Sequence, residues 1–390
     1  MKKNILILPC STQLGVEQFN SLKYNKHFNL IGASHNNTDN LFQNFIKLIN
    51  NNDTPEFIQE VLDIIKFNNI DVILPSHDDV LYILKNVPEL QHYIPGSVVD
   101  TINVCRFKSK TYTALLADDF LVKYIPTFEL IDNLTTFLKP DRGQGSRGSF
   151  QLNQPYLMCE YLPGEEYTID CFTGSDNVVH YISPRHRITI ENGISELTSL
   201  ILDEEFTKIA KRINDILPFN GAWFFQMKLD KNGNLKFLEV APRIAGASSI
   251  NRLNGVNCTA LTLYQHLGYQ IDIAPQNLIK INNRQAPIYN LDYDTIFVDY
   301  DDTYEFVIED LKKLNRSIKV ITRHKNTLNL PYDTIYVNDD ELKSTIISQH
   351  ISQLNIKPIF IDDSFKEKMD VLLNCKIPCI SLEEVTYLNL

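Results

Sequence analysis

The sequence predicts an α/β and α+β chain of three domains, at residues 1–103, 104–286 and 287–390. Three observations carry this expectation. Strand-helix-strand patterning marks both ends of the chain, a run of strands and hairpins fills the middle, and 390 residues is about two and a half times a typical domain length.

At the N-terminus, residues 4–8 form a short apolar run that ends in Pro9-Cys10-Ser11-Thr12. Ile70 to Pro75 repeats the pattern after the amphipathic stretch Pro55 to Phe67, giving strand, helix, strand. Buried parallel strands between helices make the first 103 residues a small three-layer α/β unit. A helix is expected from Lys108 to Phe120 and a strand from Thr135 to Lys139. Beyond these the pattern turns to strands and hairpins up to about residue 243, with one helix over Glu204 to Ile216. The last domain opens with a strand at Thr295 to Asp299 and a helix at Glu305 to Leu314. Further strands are expected at Ile318 to Thr322, Thr334 to Val337 and Pro358 to Ile361.

Composition narrows the function classes. Apolar residues at 44% and charged residues at 22% fit a soluble globular chain. Lys plus Arg number 37 against 48 Asp plus Glu, a formal charge of -11. No basic stripe suited to a phosphate backbone is present, so nucleic acid is not an expected partner. The seven cysteines are scattered, without CxxC pairs, and read as reduced thiols. No run approaches the ~20 apolar residues of a membrane helix. A cytoplasmic chain without a membrane partner is therefore expected, and a homo-oligomer is compatible with these numbers.

Three motifs carry chemistry. Lys139-Pro140-Asp141-Arg142-Gly143-Gln144-Gly145-Ser146-Arg147-Gly148 matches the GxGxxG spacing, but the residues that follow read as extended, so no helix N-terminus receives a pyrophosphate. Ser149-Phe150 also stands where a Walker loop needs Lys and Ser or Thr. A loop between antiparallel strands remains, whose N–H groups could fold over phosphates beside Lys139; an exposed hairpin turn uses the same glycines equally well.

The second motif is a hairpin centred on Asn232-Gly233, a two-residue turn signal. That register places Gln226 across from Glu239 on one face. Two hard oxygen donors suit Mg²⁺; a plain Gln–Glu hydrogen bond on a half-buried sheet satisfies the same pattern. Arg243 follows in Glu-Val-Ala-Pro-Arg and leaves the strand after Pro242. Arg185 and Arg187 can grip phosphate or carboxylate, or form a solvated basic turn.

The third motif is Asp299-Tyr300-Asp301-Asp302-Thr303 at the end of an apolar strand. Asp299 and Asp301, two apart, suit a carboxylate nucleophile beside a proton donor, with Mg²⁺ offsetting their repulsion. Thr322 ends one later strand and Asp362-Asp363 another, and in a parallel sheet these ends meet at one crevice.

Taken in order, residues 1 to about 285 resemble the ATP-grasp superfamily, in its carbamoyl-phosphate-synthase-like, carboxylate-amine ligase branch. The resemblance rests on a pre-ATP-grasp Rossmann-like unit, Lys108 in Phe-Lys-Ser-Lys-Thr-Tyr, Lys139-Pro before the glycine loop, Glu160-Tyr161-Leu162-Pro-Gly-Glu-Glu166, and Gln226 to Arg243. It implies ATP and Mg²⁺ (or Mn²⁺) as cofactors. Lys108, Lys139 and the loop with Gly143, Gly145, Ser146 and Gly148 would meet phosphates, Glu160 to Leu162 the adenine, and Glu166 the ribose. Gln226 and Glu239 would bind metal and Arg243 the transferred phosphoryl group. Ala241 departs from the pattern, because an Asn metal ligand is usual there.

Residues 290–390 resemble the haloacid dehalogenase (HAD) phosphatase superfamily in a capless form. That resemblance implies Asp299 as nucleophile, Asp301 as acid/base, Thr322 and Lys343 as phosphate holders, and Asp299, Asp301, Asp362 and Asp363 around a metal. The expected function is bifunctional: ATP-dependent ligation of a carboxylate to an amine through an acyl phosphate, and Mg-dependent hydrolysis of a phosphorylated product or precursor, a small-molecule phosphoester. The alternatives are an ATP-grasp kinase or carbamoyl-phosphate-type enzyme, and a nucleotide-sensing protein with degenerate sites.

Overall fold

The computed structural model describes residues 2–36, 41–52, 54–122, 124–125, 136–142, 156–191, 193–274, 279–283, 287–289, 291–324 and 328–389. They divide into two compact units: Met1–Ser249 with Asn257–Ile273, and Ile250–Val256 with Ala274–Leu390.

The first unit opens with β1 (Lys3–Leu8), α1 (Gln13–Leu22), β2 (Phe28–Ser34), β3 (Asn44–Lys47), α2 (Pro55–Asn68), β4 (Val72–Pro75) and α3 (Asp78–Lys85). Its four strands are parallel in the order β3-β2-β1-β4. Ile5 to Leu8 are fully buried because both faces of the sheet are covered. Thr12 caps α1 by accepting from Gly15 N–H. Residue 15 must be glycine, since a Cβ there would lie 2.6 Å from the Cys10 carbonyl oxygen. The chain switches from one side of β1 to the other between β2/β3 and β4, so the loops after β1 and β4 face one crevice.

Lys85 ends α3 almost fully buried, donating to the carbonyls of Ile94 at 2.7 Å and Gln91 at 3.3 Å. Burial lowers its pKa to about 8 from 10.5. Between those values the unfolded chain holds a proton that the folded chain has released, so this residue's contribution to stability rises with pH from 8 to 10.5. Thermal melts of wild type and Lys85→Met should therefore diverge in the wild type's favour over that window; parallel curves would show that the ammonium is not disfavoured.

Next come α4 (Val99–Cys105) and α5 (Lys108–Ala114), the latter ending six residues before the sequence pattern suggests. A three-stranded antiparallel sheet holds β5 (Tyr124–Ile125), β6 (Thr136–Pro140) and β7 (Tyr156–Glu160) in the order β5-β7-β6. The larger sheet contains β8 (Glu166–Thr173), β9 (Val179–Glu191), β10 (Ile194–Leu200), β11 (Gly221–Leu229) and β12 (Leu235–Ala241), ordered β12-β11-β8-β9-β10, with α6 (Glu204–Ile216) between β10 and β11 in the chain.

Period-two alternation splits this sheet into two chemically distinct faces. Ile169, Cys171, Trp223, Phe225, Met227, Phe237 and Val240 are buried and pack with Phe206, Ile209, Ala210 and Ile213 of α6. The other face carries Glu166, Thr168 and Asp170 on β8, Arg185 and Arg187 on β9, and Gln226 and Lys228 on β11, matched across the strands as Thr168↔Arg185, Thr168↔Gln226 and Glu166↔Lys228. An apolar core thus anchors one side and a dense set of charges is held on the other.

After α7 (Ser249–Leu253) and α8 (Cys258–His266), the second unit contains the antiparallel pair β13 (Ile279–Asn283) and β14 (Pro287–Tyr289). It then builds a parallel sheet from β15 (Thr295–Asp299), β16 (Ser317–Thr322), β17 (Asp333–Tyr336), β18 (Pro358–Ile361) and β19 (Cys379–Ile380), ordered β17-β16-β15-β18-β19. α9 (Glu305–Leu311), α10 (Lys343–Leu354) and α11 (Phe365–Cys375) connect them. Between β15 and β16 the chain makes only a π-type turn at Tyr300–Tyr304 and the short α9. None of the seven cysteines forms a disulfide, and among the described residues no helix is long and apolar enough to cross a membrane.

Candidate active sites

Gln226 lies opposite Glu239, as the sequence arithmetic gives, but by another route. The connection is not a two-residue turn: residues 230–234 form the loop, with Asp230 Oδ1 accepting from the N–H groups of Asn232 and Asn234. Pairing then runs Leu229↔Leu235 to Met227↔Phe237, and a bulge follows before Gln226↔Glu239. The extra residue in the bulge is Leu238. Its carbonyl accepts from Lys139 Nζ at 2.8 Å and from Tyr112 Oη at 2.9 Å, so the irregularity draws Lys139 beside Glu239.

Lys108, nearly fully buried, stands 3.9 Å from Glu239 Oε2. Burial lowers its pKa to about 8, Glu239 partly restores it, and the charge of Lys139 lowers it again. The start of the glycine segment is fixed to the same helix, because Asp141 accepts from Ser109 N–H at 2.7 Å and its carbonyl from Lys108 N–H at 3.1 Å. Gly143, Gly145, Ser146 and Gly148 lie outside the described residues. Glu160 ends β7 with its Oε2 buried and unpartnered, Tyr161 is half exposed and Leu162 is buried.

Arg243 is not a free cation facing outward. Its guanidinium grips Asp78, the first residue of α3, at 2.5 Å and 2.7 Å, and lies over the Phe224 ring. Although burial opposes it, Arg243 holds the Asp78 carboxyl below its usual range. Asp79, the next residue, pairs with Arg106 and stands 3.5 Å from Arg142, whose guanidinium covers Tyr82 and Phe107. Asp78, Asp79 and Arg106 carry no motif in the sequence, and the Asp78–Arg243 contact across 165 positions leaves no local spacing to read.

Arg185 and Arg187 are not a solvated turn. Arg185 is 1% exposed and donates to Asp170 Oδ2 at 2.7 Å. Arg187 pairs with Glu166 and donates to the Gly193 carbonyl at 2.8 Å, while Lys228 reaches Glu166 at 3.4 Å. Both guanidiniums organise the polar face rather than await an anion in solvent. Asp170 Oδ1 and Arg187 Nε nevertheless remain buried without partners, a costly condition that a polar ligand on this face would relieve.

In the second unit the strand ends bring a separate cluster together. Lys343 Nζ, at the first position of α10, bridges Asp299 Oδ1 at 2.5 Å and Asp362 Oδ2 at 2.8 Å, all three residues being buried. Carboxylate oxygens of Asp299, Asp362 and Asp363 lie within 4.8 Å of one another. Burial and then the Asp362 charge push Asp299 up to about 7, against the pull of Lys343, whose ammonium the two carboxylates hold above the ordinary lysine value despite burial. Two acids share one base, so one carboxyl tends to keep its proton. Thr322 Oγ1 donates to Asp301 Oδ2 at 3.3 Å, and Asp363 N–H to Thr303 Oγ1 at 3.1 Å. Lys357 instead pairs with Asp292 at the opposite strand ends.

These geometries can be set beside known proteins. Residues 153–286 match the family model described as "ATP-grasp in the biosynthetic pathway with Ter operon". Among solved structures, N5-carboxyaminoimidazole synthetase from Staphylococcus aureus, complexed with ADP, is 15% identical over 74% of this chain and 82% of its own, with a TM-score of 0.57. Biotin carboxylase from Campylobacter jejuni is 16% identical over 70% and 72%, with a TM-score of 0.58. L-amino acid ligase from Bacillus licheniformis is 17% identical over 68% and 74%, with a TM-score of 0.53. At these identities the likeness is one of fold, and that fold is ATP-grasp. No curated protein sequence matches the chain.

Proposed function

We propose that the first unit is an ADP-forming ligase that uses Mg-ATP to activate a carboxylate as an acyl phosphate for attack by an amine. The observation that carries this reading is the polar sheet face, where Glu239 and Gln226 stand together with Lys108 3.9 Å from Glu239. The residues fit the groups required. Gln226 and Glu239 would hold Mg²⁺, which supplies charge neutralisation at the phosphates. Lys108 and Lys139 place ammonium groups for phosphate oxygens, and the unpartnered Glu160 oxygen offers an acceptor at the end of β7 where an adenine amine is expected.

Glu166 is held in place by Arg187 and Lys228 to receive ribose hydroxyls. Arg243 would meet the transferred phosphoryl group, and Asp78 at the first position of α3 fixes its guanidinium, so that turn shapes the site as well. Ala241 leaves the metal with one side-chain donor fewer than the family pattern, two residues beyond Glu239. The similar solved enzymes, among them an L-amino acid ligase and phosphoribosylglycinamide synthetase from Anaerococcus prevotii, support small-molecule carboxylate and amine substrates. ADP release measured over panels of acids and amines should require one of each; ATP hydrolysis indifferent to both would favour the nucleotide-sensing alternative.

For the second unit we propose a HAD-type phosphomonoesterase, which makes the chain bifunctional. Its support is the convergence of Asp299, Asp301, Thr322, Lys343 and Asp362 at the carboxyl ends of adjacent parallel strands. The Asp299, Asp362 and Asp363 oxygens suit Mg²⁺, which would orient the phosphate and lower the repulsion between acids. Asp299 attacks phosphorus, Asp301 protonates the departing oxygen, and Lys343 and Thr322 hold the phosphoryl oxygens.

A further inference from the structure

The phosphatase reading leaves the leaving group unspecified, and the rim of the crevice gives evidence on it. The residue after Asp299 is Tyr300, the first of the π-type turn, and its ring stacks on that of Tyr304 with centroids 5.8 Å apart and planes 30° from parallel. Tyr332 meets Tyr304 edge-on at 6.5 Å, and His324 stands edge-on to Tyr300 at 5.9 Å. Four rings therefore form a contiguous ladder that begins at the residue next to the nucleophile. Three are half-buried and His324 is exposed.

The ladder shares the β16 side of the crevice with the proposed proton donor. Asp301, the proposed proton donor, accepts from Thr322 of β16, which places its carboxyl toward that strand. His324 is two residues beyond Thr322 and donates its N–H to the Thr322 hydroxyl at 2.9 Å. Asp362 and Asp363 occupy the β18 side. Arg323, between Thr322 and His324, turns away to Glu367 at 2.9 Å and to the Glu341 carbonyl. The side chains next to Asp301 on this side are thus rings, and the Arg323 guanidinium is engaged elsewhere.

Resting on the phosphatase reading, we infer that this unit acts on phosphomonoesters whose leaving group carries a planar aromatic or heteroaromatic ring, which stacks on the Tyr300–Tyr304 ladder. Hydrolysis balances without a co-reactant other than water. The Asp299 oxygen bonds to phosphorus as the ester P–O bond breaks, Asp301 gives its proton to the departing oxygen, and water then cleaves the aspartyl phosphate to inorganic phosphate. Because a compact substrate gains nothing from the rings, specificity is a difference in kcat/KM, with stacking expected to supply ~10-fold or more.

The test compares benzyl phosphate, a nucleoside 5′-monophosphate and glycerol 3-phosphate, all primary alkyl esters, on wild type, Tyr304→Leu and Tyr304→Phe. Both ring-bearing esters, or the one whose ring reaches the ladder, should exceed glycerol 3-phosphate by ~10-fold or more in kcat/KM. Tyr304→Leu should abolish that preference while leaving glycerol 3-phosphate turnover unchanged, and Tyr304→Phe should keep it. Equal kcat/KM across the esters, or equal loss on all three in Tyr304→Leu, overturns the inference. Fluorine NMR of the Mg-beryllofluoride adduct separates the two claims: an adduct without ring preference removes this inference alone, and no adduct removes the phosphatase reading with it.

Discussion

Asp299→Asn should lose phosphate release by at least ~10³-fold while ATP-dependent ligation by the same chain is unchanged. The amide keeps the carboxylate's shape but removes the nucleophile, so the covalent route closes. The variant is expected to fold, because Lys343 retains Asp362 at 2.8 Å and no buried charge is left unpaired. Circular dichroism and the ligase assay serve as internal controls. Unchanged phosphate release would remove Asp299 from the mechanism, and parallel loss of both activities would argue against two separate sites.

Lys139→Ala should reduce acceptor-dependent ADP formation by about a hundredfold or more, with phosphate release intact. Its ammonium is held by the Leu238 carbonyl at the bulge next to Glu239, so the charge is aimed before ATP arrives and costs little reorganisation. Steady-state kinetics of ADP release in wild type and variant check this. A change in KM for ATP alone would mean that Lys139 binds the ground state and gives the transition state nothing more.

What the sequence reveals follows the range of the interactions involved. The parallel strands of the second unit are legible because they are apolar runs that end in chemically conspicuous residues, and strand ends in such a sheet converge by geometry. Lys343 lies at the start of a helix beside these strand ends, whereas Lys357 lies at a strand's opposite end. Gln226 and Glu239 pair as a two-residue turn would have them although the loop is longer, because a five-residue loop and a one-residue bulge offset each other. Bulges are set by tertiary demands, here the Leu238 carbonyl offered to Lys139 and Tyr112, and leave little local signal.

The polar face was less legible. Arg185 and Arg187 look like a basic turn in sequence, yet they sit mid-strand and are absorbed by Asp170 and Glu166, partners 15 and 21 positions away. The Asp78–Arg243 pair joins the start of α3 to the segment just after β12 across 165 positions, and nothing in either segment announces the other. α5 is shorter than its periodicity suggests because residues 115–120 turn toward β12, where the Phe120 carbonyl accepts from Phe237 N–H at 2.7 Å.

The central claim is that a carboxylate is activated as an acyl phosphate in the first unit. Its most direct test uses the acid that best stimulates ADP release, labelled with ¹⁸O in its carboxylate, together with ATP, Mg²⁺ and the amine. The Asp299→Asn chain is the enzyme of choice, so that no second hydrolysis dilutes the label. When the amine displaces phosphate from an acyl phosphate, the bridging oxygen leaves with phosphorus. The account predicts one ¹⁸O per molecule of inorganic phosphate by mass spectrometry, and phosphate carrying no label would contradict it.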